Sequence, residues 1–182
     1  MNSRSQEPSL HAYLLGSQAN NSPGGQPAAP LQPGRWRVER DLLDRRDGTR
    51  GTFSGVVLYT PTDDGGLALR EEGTMRWPAF TGPATREYVL KPAPRPDALD
   101  VFFPDGRPFH RMSFTPDASL DTHWCDPDTY RVSYTRQGPD NFSYSWDVAG
   151  PRKDLLLVSR LVRDTKTWDA EARDTKAWGA EK

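Results

Sequence analysis

Gly34-Arg35-Trp36-Arg37-Val38-Glu39-Arg40-Asp41-Leu42 is the stretch that sets the fold. Trp36, Val38 and Leu42 recur at even spacing, with Arg35, Arg37, Glu39 and Asp41 between them. Alternation with period two is the mark of a half-buried β-strand, because successive side chains of an extended chain point to opposite faces. The charged run Arg35, Arg37, Glu39, Arg40 and Asp41 is expected to form the solvated face.

The same rhythm continues outward from this strand. Past the Arg46-Asp47-Gly48 turn, Thr52 to Thr60 reads as a second strand. Asp63-Asp64-Gly65-Gly66 turns the chain into a third, Leu67 to Trp77. Pro78 to Pro83 is expected to break the pattern before a fourth strand, Ala84 to Leu90. Ala98 to Phe103 and Pro108 to Phe114, joined through Pro104-Asp105-Gly106-Arg107, form the clearest hairpin. Thr122–Cys125, Thr129–Arg136, Asn141–Val148 and Asp154–Arg163 follow. Nine or ten short strands with no helical period between them predict an all-β domain, a closed antiparallel up-and-down barrel over residues 34–163. Closure removes exposed edges, and a barrel of this size can leave room for one small ligand.

The two ends read differently. Residues 1–33 are expected to be a flexible leader outside the fold, in which Ser9 to Leu15 could form one helical turn. Asn20 to Pro33 carries one large apolar residue, Leu31, too little to offset its ordering entropy. Residues 164–182 read as a charged, flexible tail in which Asp164 to Arg173 is nearly repeated by Asp174 to Glu181.

Composition narrows the function classes. The 182 residues hold 24 Lys plus Arg against 25 Asp plus Glu, a formal charge of −1 that gives no electrostatic pull toward nucleic acid or an anionic membrane. The longest apolar run, Leu155–Val158, is far short of a membrane-spanning helix. A lone cysteine, Cys125, and a start without a basic, then apolar, signal point to the cytoplasm. One cysteine and two usable histidines, His110 and His123, fall short of a metal set, and no cofactor is expected.

Polar residues in phase with apolar ones are the most informative feature. Glu71 shares a face with Leu67, Leu69 and Met75; Arg86 with Tyr88 and Leu90; His110 with Met112 and Phe114. Tyr130 and Tyr134 flank Val132. Faces turned inward would give an aromatic lumen with a few polar groups, the usual lining of a ligand pocket.

Three segments carry a family resemblance. They are Phe102-Phe103-Pro104-Asp105-Gly106-Arg107-Pro108-Phe109-His110, His123-Trp124-Cys125-Asp126-Pro127-Asp128-Thr129-Tyr130 and Trp146-Asp147-Val148-Ala149-Gly150-Pro151-Arg152-Lys153-Asp154. In this order they resemble domain of unknown function 6314, over about residues 34–163. The sequence departs from that pattern at Leu155 and Leu161, where aromatics would be expected. Gly34-x-Trp36 resembles the lipocalin signature. The resemblance implies a lipocalin-like (calycin-type) barrel in which Trp36 packs across the base beneath Arg163, but it implies no activity.

The functional expectation is binding of a small, largely apolar molecule in the lumen. Arg86, Tyr88, Met112, Cys125, Tyr130, Tyr134 and Trp146 are the expected contacts. The alternative is a cofactor-independent isomerase or cyclase, with His110, His123 and Glu71 as acid–base groups and Glu71 holding its proton more tightly than usual in an apolar lumen. Asp128, Lys153, Asp154 and Arg163 are assigned to structure. The sequence leaves the oligomeric state open.

Overall fold

A computed structural model describes residues 8–16 and 32–164. Ten strands follow one another along the chain: β1 Gly34–Asp44, β2 Arg50–Pro61, β3 Leu67–Trp77, β4 Phe80–Pro92, β5 Ala98–Phe102, β6 Pro108–Ser113, β7 Leu120–Cys125, β8 Asp128–Arg136, β9 Asn141–Gly150 and β10 Lys153–Arg163. They form one antiparallel sheet in the order β6-β5-β4-β3-β2-β1-β10-β9-β8-β7. The sheet curls so that its two end strands, β6 and β7, come side by side.

The cylinder is therefore nearly closed. First and last strands are zipped from Trp36↔Arg163 to Asp44↔Leu155. No ladder joins β6 to β7; the link there is the Arg111 backbone N–H donating to the Asp121 carboxylate. Among the described residues no helix is long and apolar enough to cross a membrane.

Local chemistry explains the punctuation. At the β2–β3 turn the Asp64 carboxylate accepts from Gly66 N–H and Thr62 Oγ1, while Gly65 takes φ +79°, a value that glycine reaches without steric cost. The proline break expected at Pro78–Pro83 is shorter than the sequence suggests. β4 already begins at Phe80, and Pro83 lies within it opposite Thr74. Proline is tolerated because β4 pairs with β5 only over Val89–Pro92, so the edge at Pro83 has no ladder to lose.

The largest departure from expectation lies before the first strand. Of the proposed leader, residues 1–7 and 17–31 lie outside the described residues, as do residues 165–182 of the repeated tail. Residues 8–16, however, form part of the fold. Ser9 caps helix α1, Leu10–Leu15, by accepting from Ala12 N–H, and Gly16 ends it at φ +77°. Leu10, Tyr13, Leu14 and Leu15 are buried with Trp36 and Phe142 in the core. The helix is an end-plate for the barrel, not a leader outside it. Its four buried side chains supply the apolar burial that offsets the ordering of this segment.

The plug accounts for the Gly-x-Trp signature. A Cβ on Gly34 would collide with the Leu14 carbonyl oxygen, so only glycine lets the helix sit this close. Two residues on, Trp36 Nε1 donates to that same carbonyl at 2.8 Å. The Arg163 guanidinium lies 4.1 Å from the Trp36 ring centroid and donates to the Tyr13 carbonyl at 2.6 Å. The Trp36–Arg163 pairing implied by the lipocalin resemblance is thus present.

Candidate functional site

Above the plugged base, the inward faces of five strands build a polar layer. Arg40 on β1 donates from Nη1 to Glu71 Oε1 at 2.8 Å and from Nη2 to Glu71 Oε2 at 2.7 Å. Its Nε donates to Ser159 Oγ on β10 at 2.7 Å. Arg86 on β4 donates from Nη2 to Glu71 Oε2 at 2.9 Å, and its Nε lies 2.8 Å from Oε1 without the alignment of a hydrogen bond. The Tyr144 hydroxyl on β9 accepts from both guanidiniums, at 2.8 Å from Arg40 and 2.5 Å from Arg86.

Arg40 corrects the reading of the first strand. It was expected on the solvated face, yet its side chain is 3% exposed. Its charge misled, whereas its position did not: residue 40 is in phase with Trp36, Val38 and Leu42. Without a partner this cation could not be buried, and Glu71 provides one.

Glu71 is likewise corrected. Burial alone would raise its proton affinity, as expected from an apolar lumen. Hydrogen bonds from Arg40 and the charges of Arg86 and Arg40 outweigh burial, and its pKa falls below the usual carboxylate value. Glu71 is a fixed anion, not a proton donor.

A second polar pair faces this layer. His110 Nε2 on β6 is hydrogen-bonded to the Tyr134 hydroxyl on β8 at 2.7 Å. His110 Nδ1 is buried and has no partner. Between the two groups lies a cavity of about 40 Å³, lined by Glu71, Arg86, Tyr88, His110, Met112, Tyr134, Tyr144, Trp146, Leu161 and further apolar residues of β2 to β5. It is small, with room for a few water-sized atoms.

Rings close the upper end. Phe109 stacks on Trp146 at 5.0 Å and on Tyr88 at 5.3 Å, and Phe103 and His123 pack against it at 4.6 and 5.1 Å. Phe109 and His110 are consecutive, yet both point inward. The β5–β6 register pairs Val101 with His110 and Phe102 with Pro108, so Phe109 is an extra, bulged residue. A β-bulge breaks the two-residue alternation at one position, and strand periodicity alone could not have found Phe109.

The other expected contacts divide. Tyr88, Met112, Tyr134 and Trp146 line the cavity as their phase predicts. Tyr130 and His123 stand at the ring-closed mouth, 6.4 Å apart between centroids. Cys125 does not join them. It is exposed at the end of β7, next to the cis Asp126–Pro127 bond. Arg40, Tyr59, Phe109 and Tyr144 were not among the contacts expected from the sequence. Asp128 and Lys153 pair with each other at 2.6 Å, Asp154 pairs with Arg45 at 2.6 Å, and Arg163 caps the base.

Residues 33–163 match the Family of unknown function (DUF6314). The chain belongs to that family. This DUF6314 domain is similar in structure to an S-type phycobiliprotein lyase, CPES, from Guillardia theta. The TM-score is 0.56 at 11% identity, covering 74% of this chain and 89% of the lyase. It is also similar to a DUF3598-family protein of unknown function from Nostoc punctiforme PCC 73102. There the TM-score is 0.54 at 11% identity, with 87% of this chain covered but only 51% of the other. Likeness at this identity concerns the barrel fold alone. No curated protein matches the DUF6314 chain in sequence.

The buried imidazole makes the domain sensitive to acid. Burial, then the charges of Arg86 and His123, push the His110 pKa from 6.5 down to about 3. Below about pH 6.5 the unfolded chain protonates this ring while the folded barrel does not. Stability from neutral His110 is thus complete above that pH and is lost as pH falls toward 3. Between pH 7 and pH 5 the loss is expected to be about 2 kcal/mol, at about 1.4 kcal/mol per pKa unit. Urea unfolding should show it in the parent chain and not in His110→Gln. Equal slopes in the two would contradict the assignment.

Proposed function

We propose that the barrel binds a small, largely apolar molecule in its lumen. The observation that carries this reading is a cavity inside the barrel whose lining residues Tyr88 and Trp146 stack with Phe109. Apolar and aromatic walls surround a few convergent polar groups, two of which, Arg86 Nε and His110 Nδ1, are buried without a hydrogen bond. Such atoms are costly to bury unpartnered, and ligand sites are where they are found. The fold shared with a protein named as a phycobiliprotein lyase adds support, since that name places small-molecule chemistry on this kind of barrel.

A ligand too large for this cavity would have to move the Phe109 ring, which stacks on the lining residues Tyr88 and Trp146. The hairpin that bears it pairs with β4 only over Val89–Pro92 and has no ladder on its β7 side. Octan-1-ol and octanoate serve as simple probes, followed by thermal unfolding and by Trp146 fluorescence against Trp146→Phe. Saturable stabilisation by either probe, enhanced in Phe109→Ala, is expected. No shift with either probe in either chain would end the reading.

The acid–base reading survives in narrower form, resting on the His110–Tyr134 hydrogen bond at the cavity wall. Glu71 drops out of it as an acid. His110→Ala should cost an isomerase or cyclase ~10²–10⁴ in turnover, whereas a carrier would lose only affinity.

A further inference from the structure

The charges in the polar layer do not balance. Glu71 is the one carboxylate among the residues lining the cavity, and Arg86 the one cation. Behind them, Arg40 already engages both Glu71 oxygens, so that pair is neutral by itself. His110 is uncharged across the neutral range, and burial keeps the Tyr59 and Tyr134 phenols protonated. Arg86 is thus left as a net positive charge inside the barrel.

Arg86 is also the member of the cluster that remains accessible. Its side chain is 28% exposed, against 3% for both Arg40 and Glu71. Of its nitrogens, Nη2 donates to Glu71 and Tyr144, while Nε makes no hydrogen bond. Glu71 cannot supply another acceptor, because each of its oxygens already faces both guanidiniums. A half-buried cation whose buried Nε lacks an aligned acceptor is stabilised by an anion brought from outside.

From these observations we infer that the lumen recognises its ligand by a carboxylate group, seated between Arg86 and His110. This rests on the lumen-binding reading above and specifies the ligand's chemistry. A carboxylate is compact enough for a small cavity of about 40 Å³ lined by Arg86 and His110. Its planar pair of oxygens suits the guanidinium fork. His110, neutral and with Nδ1 unpartnered, supplies a further hydrogen bond in the tautomer whose Nε2 accepts from Tyr134. The remainder of the ligand then runs up through Tyr88, Phe109 and Trp146 to the mouth.

The test compares octanoate, octan-1-ol and octyl phosphate on the full chain by isothermal titration calorimetry. Octanoate is expected to bind at least tenfold more tightly than octan-1-ol. In Arg86→Met the two should bind alike, and this variant retains the neutral Arg40–Glu71 pair that holds the layer together. Arg86→Lys, which keeps the charge without the fork, should retain part of the preference and guards against a folding defect in the first variant. Equal affinities for octanoate and octan-1-ol in the parent chain would overturn the carboxylate seat while leaving lumen binding intact. So would octyl phosphate binding as tightly as octanoate. Binding of none of the three would instead remove the underlying reading.

Discussion

Glu71→Ala is expected to destabilise the barrel by ~3–5 kcal/mol, the range for removing one partner of a buried ion pair. The carboxylate holds Arg40 and Arg86 together through hydrogen bonds of 2.7 to 2.9 Å. Its loss leaves two like charges side by side in the barrel interior, with Tyr144 and Ser159 as their remaining side-chain acceptors. Arg40→Met should cost less than half as much, because Glu71 then keeps Arg86 as its partner and the layer becomes neutral. Urea unfolding of the two variants at pH 7 measures the asymmetry, provided the denaturant slope is unchanged. An Arg40→Met loss equal to or larger than that of Glu71→Ala would show that packing, and not charge, holds the layer.

The second large effect belongs to the base. Leu14 is fully buried in α1, and Leu14→Ala is expected to cost ~2–5 kcal/mol, as for other core leucine truncations. The cost should fall in the upper part of that range for a reason beyond the cavity. A six-residue helix does not persist by itself, so weakening its docking endangers the whole plug. Deleting residues 1–16 should therefore be at least as damaging. It strips three further buried side chains and leaves Trp36 Nε1 without its Leu14 carbonyl. Near-ultraviolet circular dichroism should lose part of the Trp36 signal in both. A Leu14→Ala chain within about 0.5 kcal/mol of the parent, the size of an ordinary surface change, would show the helix to be ornamental.

Much of this was legible in residue order because a strand has only two faces. Leu67–Trp77 emerges with its predicted ends, and phase alone sends Glu71, Arg86, Tyr88, His110, Met112 and Tyr134 into the lumen. Closure and the family assignment agree with the sequence reading. What was lost has identifiable causes. Arg40 obeyed the phase, but a run of charges suggested solvent, and its partner Glu71 lies 31 positions away. Phe109 was hidden by a bulge, a one-residue shift that periodicity cannot register. The base helix shows in the sequence as no more than the one turn at Ser9 to Leu15, and its stability comes from contacts made more than twenty residues later. Cys125 had the right parity but sits where the strand ends beside Pro127.

One feature of the cylinder governs how a guest could get in. A complete hoop of hydrogen bonds fixes its own girth, but a hoop slit along one side can widen by flexing. The slit lies between β6 and β7, and the strand pair bordering it carries Phe103 and Phe109 at its tip. On the proposed reading, spreading the slit would release the Arg111–Asp121 hydrogen bond and uncork the mouth together, with none of the nine rung-sets that tie the other neighbours having to be cut.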